Sequence, residues 1–267
     1  MELRQQALQV LCTCDPAAKV QAARSLGALA GPLPAAAAAP RPTLPLPGRP
    51  QRPLLVHGSQ VPRRSPFTRD GLAALLHAIA HIEFNAINLA ADAAWRFDGM
   101  PREFHLDWVR VMAEEAHHFT LLAEHLALLG HAYGDFEAHD GLWAMCEKTR
   151  DDVVARMALV PRTLEARGLD ATPQIQARLR KVGTPEALRG VEILDVILRD
   201  EVGHVAIGNH WYRWLCEREG LDPVALYPEL AQRYDAPRLH PPFNEVARRR
   251  AGFSAAELAL LRRETPA

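Results

Sequence analysis

The chain has 267 residues, 48% of them hydrophobic and 24% charged. That length suits one or two domains, and the apolar share is enough for a buried core, which excludes wholesale disorder. Lysine and arginine number 31 against 32 acidic residues, so no overall field draws the protein to nucleic acid or anionic lipid. No run approaches the ~18 apolar residues of a membrane helix, and the N-terminus lacks a charged region followed by a hydrophobic one. The expectation is a cytoplasmic protein with no membrane partner. Four scattered cysteines, Cys12, Cys14, Cys146 and Cys216, make neither a disulfide scaffold nor a C-x-x-C zinc pair. Ten of the 12 histidines lie between His77 and His210, which marks that stretch for any chemistry.

Residues 1–28 carry two short helical patterns, the second opened by Asp15-Pro16, a cap followed by a proline suited to a first turn. From Pro32 to Pro66 there are ten prolines, so neither helix nor central strand persists. The Gly48-to-Pro53 segment with Leu54, Leu55 and Val56 reads either as an extended arm docked on the body or as a flexible spacer. Beyond Thr68 the chain becomes rich in alanine and leucine with a 3.6-residue apolar period. A first long helix is expected over about 68–97, ending at Asp98-Gly99. A second runs from Pro101 to Gly130 and lies antiparallel to it. A third is expected over roughly 140–167, interrupted by Pro161 and closed by Gly168, and a fourth from the Thr184-Pro185 cap to about Gly220. The ten residues from Gly130 to His139 are long enough for a crossover connection. Asp222-Pro223 and the capping box Ser254-x-x-Glu257 open shorter helices. The division is residues 1–67 as N-terminal helices and arm, 68–220 as an all-α four-helix bundle, and 221–267 as C-terminal accessory helices.

Polar residues on the apolar stripes carry the chemistry. Glu114-Glu115-Ala116-His117-His118 contains two overlapping Glu-x-x-His motifs. Trp108, Val111, Met112, Glu115, His118, Phe119, Leu122 and Leu126 share one face, whereas Arg110, Glu114, His117 and Glu124 share a wetter one. Glu115 and His118 are therefore the interior pair. The fourth helix repeats the pattern with Glu201 and His204 on a stripe of Leu194, Ile197, Leu198 and Val205. Glu83 stands on the stripe of the first helix, sixteen residues before Gly99, as Glu115 stands sixteen after it, which puts both at one level. In the second hairpin Glu165 is the best single carboxylate, 36 residues before Glu201, with Glu147 and Asp151 as alternatives. One glutamate from each of two helices and Glu-x-x-His from each of two others is the ligand pattern of dinuclear carboxylate proteins. Structural buried ion pairs, or a site that has lost its metal, are the alternative.

With these residues in place the chain resembles the ferritin-like superfamily. It is identified as a member of the bacterial family known as domain of unknown function 455, itself similar to the tRNA-hydroxylating MiaE-type di-iron enzymes. The resemblance rests on His81-Ile-Glu83, Glu115-Ala-His-His118-Phe119, Tyr133-Gly134-Asp135-Phe136, Leu164-Glu165-Ala-Arg167-Gly168-Leu169-Asp170 and Arg199-Asp200-Glu201-Val-Gly-His204. It extends to the Gly48-to-Pro53 arm, Pro242-Phe243-Asn244 and Ala251-Gly252-Phe253, and so covers most of the chain. It implies that Glu83, Glu115, His118, Glu165, Glu201 and His204 are six metal ligands, and it supplies a fold and a site more than a reaction.

The resulting expectation is a dinuclear oxidoreductase that activates dioxygen, with two iron ions, or manganese or a mixed Fe/Mn pair, as cofactor. Beyond the ligands no catalytic residue is singled out. The partners expected are an unknown small molecule or a modified RNA, the latter by analogy with the MiaE type, and an unspecified electron donor; a homodimer is compatible with the sequence. The alternatives are a ferroxidase-like, metal-handling protein without an organic substrate and a non-catalytic scaffold. Among the remaining residues, Asp200 is either a partner for a ligand histidine's free N–H or a solvent-facing aspartate. His77 and His81 read as satisfied surface histidines or as supports behind the ligands, and Cys12-Thr-Cys14 as incidental. Trp211, Tyr212 and Trp214 read as core, and Arg63-Arg64 and Arg248-Arg249-Arg250 as solvated clusters that leave RNA contact open.

Overall fold

The computed structural model describes residues 2–263, which are helical with no strand longer than a single bridge. They form two compact units, one of residues up to 143 with 179–193, the other of residues 144–178 with those from 194 onward.

In the first unit α1 (Leu3–Cys12) is capped by Glu2, and α2 (Pro16–Leu29) by the Asp15 side chain, which accepts from Ala18 N at 2.8 Å. The segment after α2 is not a free spacer. Arg4, fully buried, donates to Trp95 O at 2.8 Å, Ala36 O at 2.9 Å and Asp98 at 2.6 Å, and Trp95 Nε1 donates to Pro40 O. Leaving the buried Arg4 cation without these acceptors would cost more than the roughly 1–3 kcal/mol of a neutral buried group, so the contacts fix the arm. Further along, Val56 N and Ala138 N bond across a parallel bridge between Leu55 and Ala138, so the docked reading of Leu54 to Val56 holds.

Helix α3 (Arg69–Arg96) starts at Thr68, whose hydroxyl accepts from Gly71 N, and α4 (Arg102–Leu128) follows a turn in which Gly99 has φ +71°. That left-handed conformation suits glycine and returns the chain against α3. Helix α3 is long and apolar enough to span a membrane by composition, but 78% of its apolar window is buried within the protein, as expected of a core helix. Gly27 of α2 lies so close to α4 that an added Cβ would stand 2.5 Å from the Ala113 methyl.

In the second unit the expected single helix over 140–167 is instead several pieces. Helix α5 (Gly141–Lys148), whose first residues belong to the first unit, ends before Asp152, which caps α6 (Val153–Leu159) by accepting from Ala155 N at 2.8 Å. A π-helical segment, Val160–Glu165, follows, and α7 (Ala166–Val182) continues straight through Gly168 and Pro173. Pro161 has no N–H to give, and the wider turn absorbs the missing bond; the Thr163 hydroxyl donates to Ala158 O at 2.7 Å. Gly168 therefore does not close the helix. Helix α8 (Pro185–Glu219) runs in one piece, as its periodicity predicts. The accessory helices are α9 (Pro223–Arg233), α10 (Glu245–Arg250) and α11 (Ala255–Arg263). The last has the expected capping box: Ser254 N donates to Glu257 at 2.6 Å and Glu257 N to Ser254 Oγ at 3.2 Å. Ala166, Leu169, Val205, Ala247 and Ala251 form one apolar cluster that fastens α10 to α7 and α8.

Candidate metal centre

In the first unit α3 and α4 present Glu83, Glu115 and His118 to one another, and all three are buried. His118 Nδ1 lies 3.2 Å from both Glu83 Oε2 and Glu115 Oε2, and one ligand atom from each residue falls within a 4.8 Å group. The equal spacing of Glu83 and Glu115 from the Gly99 turn thus brings them to one level. His117 is exposed and Glu114 half-buried, so the helix face separates the two overlapping motifs as the stripe predicts. Burial opposes a charge on His118, but the hydrogen bonds and negative charges of Glu115 and Glu83 outweigh it and hold its pKa up to about 11. The cluster therefore carries a proton where a cation is favoured.

An aromatic wall lies beside this trio. Phe84 and Phe119, next in sequence to Glu83 and His118, meet Tyr133 with ring centroids 5.1 and 4.9 Å apart. The Tyr133 hydroxyl lies 2.9 Å from His81 Nδ1, and His81 Nε2 lies 3.2 Å from His139 O. His77, fully buried, accepts from Gly134 N at 2.9 Å. Both histidines are interior groups rather than surface ones. Desolvation pulls each pKa down to about 4, which keeps the rings neutral. His81 Nε2 also lies 3.0 Å from Asn85 Nδ2, so this nitrogen meets an amide donor as well as the His139 carbonyl, and the ring is held from both sides. The Tyr133–His81 pairing has no signal in the sequence, because it joins a loop to a helix 52 residues away.

In the second unit α8 buries Glu201 and His204, with His204 Nδ1 3.6 Å from Glu201 Oε1. Glu165 ends the π-helical segment. Its register on α8 follows from flanking contacts: Arg162 Nε donates to Asn209 Oδ1 at 2.9 Å, Pro161 lies against Gly208, and Ala166 shares a cluster with Val205. The two segments run antiparallel there, so Glu165 stands near the level of His204. Glu147 and Asp151 are exposed. Asp200 accepts from Arg199 at 2.8 and 3.1 Å on a half-buried position. Trp211 and Tyr212 are core, as expected. The three consecutive arginines do not form one solvated cluster: Arg248 is buried against Asp170 at 2.6 Å, and Arg249 pairs with Glu245 at 2.9 Å. Cys12 and Cys14, half-buried and exposed, are free thiols.

Each unit thus offers two carboxylates and one imidazole, oxygen and borderline nitrogen donors that suit Fe(II) or Mn(II). Two carboxylates with a neutral imidazole also balance one divalent charge, so the donor sets fit one such ion each. These are the features of an all-helical protein with buried Glu-x-x-His motifs on two long helices. The chain belongs to the family described as protein of unknown function DUF455, whose model matches residues 12–259. It is 53% identical over 216 residues to an uncharacterized protein of Haemophilus influenzae, a match that covers 78% of this chain and 74% of the relative. No solved structure matches.

Proposed function

We propose that Glu83, Glu115, His118, Glu165, Glu201 and His204 hold a pair of first-row metal ions, iron foremost, and that the protein is a ferritin-like dinuclear oxidoreductase. The observation that carries this reading is the burial of Glu83 and Glu115 around His118, a group with more carboxylate than cationic charge in an apolar interior. Glu165, Glu201 and His204 repeat the same donor set, and two divalent ions would balance four carboxylates. When bound, such a pair would supply redox-active sites at which dioxygen could be reduced, with an electron donor returning the metals to the divalent state. The chain's own contribution is to orient and shield. Glu115 and Glu83 draw the proton of His118 into a fixed position that a metal replaces, and Phe84, Phe119 and Tyr133 exclude water from that side.

The direct test is metal analysis of protein purified from iron-replete and from manganese-replete cells, followed by thermal unfolding with and without chelator and by oxygen uptake. The expected result is about two ions per chain and a melting temperature that falls on chelation, because an ion bound only to the folded state stabilises it. A melting curve that chelation leaves unchanged, with substoichiometric metal, rejects the centre.

A further inference from the structure

The surface built by α1 and α2 carries little charge. Among the first 47 residues the charged ones are Glu2, Arg4, Asp15, Lys19, Arg24 and Arg41. Arg4 and Lys19 are fully buried, and Glu2 and Asp15 cap their own helices. Arg24 and Arg41 are then the charges left to the exterior. Depletion of charge is the mark of the centre of a protein interface rather than of a solvated face. Between the two helices runs an open groove of about 460 Å³, lined by Gln6, Gln9 and Val10 of α1 and by Ala22, Ser25 and Leu29 of α2 among others, none of them charged. Val10 is buried at its floor, whereas Leu29 is 53% exposed at its rim.

The side of α2 that meets this groove has a regular pattern. Ala18, Ala22, Ser25 and Leu29 recur at intervals of four, three and four residues, the period of about 3.5 by which one helix seats against another. At about 100° per residue the four fall within roughly 60° of arc. All are exposed or half-buried, while Lys19, Ala23 and Leu26 form the face that α2 buries within its own chain. The stripe is also graded in size, with the large Leu29 at one end and the alanines toward the other. Two copies laid antiparallel about a two-fold axis midway between Ala22 and Ser25 set Leu29 of each against Ala18 of the other, and Ser25 of each against Ala22 of the other. A parallel pairing would instead crowd leucine against leucine and leave the alanine end unfilled. In the antiparallel pairing α2 of each copy also reaches the other's groove, where the Gln6 and Gln9 amides can both donate and accept. Arg24 lies about 130° around the helix from the stripe and stays in water.

We propose that the chain forms an isologous dimer through this stripe, with α2 packed antiparallel on α2 of a second copy. A second copy is the occupant that fits, because the stripe is complementary in size to itself and brings no like charges together. Two short helical hairpins bury an area at the low end of specific interfaces, so the dimer is a micromolar one. It does not depend on the proposed metal centre, since none of the six proposed ligands lies on α1 or α2.

Sedimentation velocity of the full-length protein between about 1 and 100 µM is expected to show a monomer–dimer equilibrium with a Kd of about 10 µM. Ser25→Glu places a charge at the centre of the stripe and is expected to raise Kd at least tenfold, with circular dichroism unchanged because the position is exposed. Arg24→Glu, one residue away on another face, is expected to leave Kd as it is. Ala18→Leu sets leucine against leucine and is expected to weaken the antiparallel dimer at least tenfold, whereas it would strengthen a parallel one. Adding Leu29→Ala to Ala18→Leu restores large against small and is expected to regain the dimer. Should Ser25→Glu fail to fold, Leu29→Glu, also at an exposed position, decides. A parent protein monomeric up to about 100 µM, a dimer that the glutamate variant leaves intact, or one that Ala18→Leu strengthens overturns the proposal.

Discussion

Pro161 lies against Gly208 so closely that a Cβ on residue 208 would stand 2.6 Å from the proline's own Cβ. The π-helical segment and α8 therefore meet backbone to ring, and this contact sets how far Glu165 stands from the turn that carries Glu201 and His204. Gly208→Ala forces the two apart. It is expected to destabilise the protein by about 1–3 kcal/mol, the usual cost of overpacking a tight contact, in urea denaturation. If the register matters to the proposed centre, the variant also loses part of its metal. A Gly208→Ala protein as stable as the parent would show that the contact relaxes without consequence.

The two overlapping motifs of α4 give a sharper comparison. Glu115→Ala or His118→Ala is expected to remove most bound metal, whereas Glu114→Ala or His117→Ala leaves it nearly intact, because His117 is exposed and Glu114 half-buried. Metal content of the four purified variants checks this directly. Equal loss from both pairs would contradict the assignment of the ligand face.

Much of this was legible because helical periodicity is a local property. The stripe that separates Glu115 and His118 from Glu114 and His117 needs only residues within a few turns, and the Gly99 turn places Glu83 opposite Glu115 by simple counting. The first, second and fourth long helices and the Ser254–Glu257 capping box follow for the same reason. What depends on tertiary packing was not legible. Gly168 reads as a helix end in isolation, yet α7 passes through it, because Ala166 and Leu169 on either side pack with Val205 and so hold the helix together. Arg248 reads as one of three solvated arginines, yet Asp170, 78 residues away, draws it inside. The arm after α2 could be either docked or free until Arg4 supplied the partner for its carbonyls.

The stability of the metal-free protein should depend on pH through His118. Its folded-state pKa of about 11 lies above the ordinary 6.5, despite burial, because Glu115 and Glu83 stabilise the imidazolium. A raised value means that the folded state holds the proton more tightly than the unfolded one. The stabilisation is thus complete below about pH 6.5 and is lost progressively as pH rises toward 11. Chelated protein is expected to show a falling urea midpoint across that window, and His118→Ala a flatter profile. Metal binding should move the opposite way, growing stronger with pH as the competing proton leaves. A chelated parent and His118→Ala with parallel profiles would remove His118 as the source.

Glu165 is the ligand whose place depends most on packing, and it gives the last prediction. Its register rests on Arg162 with Asn209, Pro161 with Gly208 and Ala166 with Val205, none of which involves the carboxylate itself. Glu165→Ala should therefore keep the helical fold, with an unchanged far-ultraviolet circular dichroism spectrum. If the six-residue centre is right, it loses one of two carboxylates from its half of the donor set, and that half should bind its ion weakly or not at all. The expected metal content falls from about two ions to about one per chain. Glu147→Ala and Asp151→Ala, at exposed positions, should retain the parent's content. A Glu165→Ala protein that keeps two tightly held ions, with a loss in either exposed variant instead, would move the fourth carboxylate from the π-helical segment to α5 or the turn that follows it.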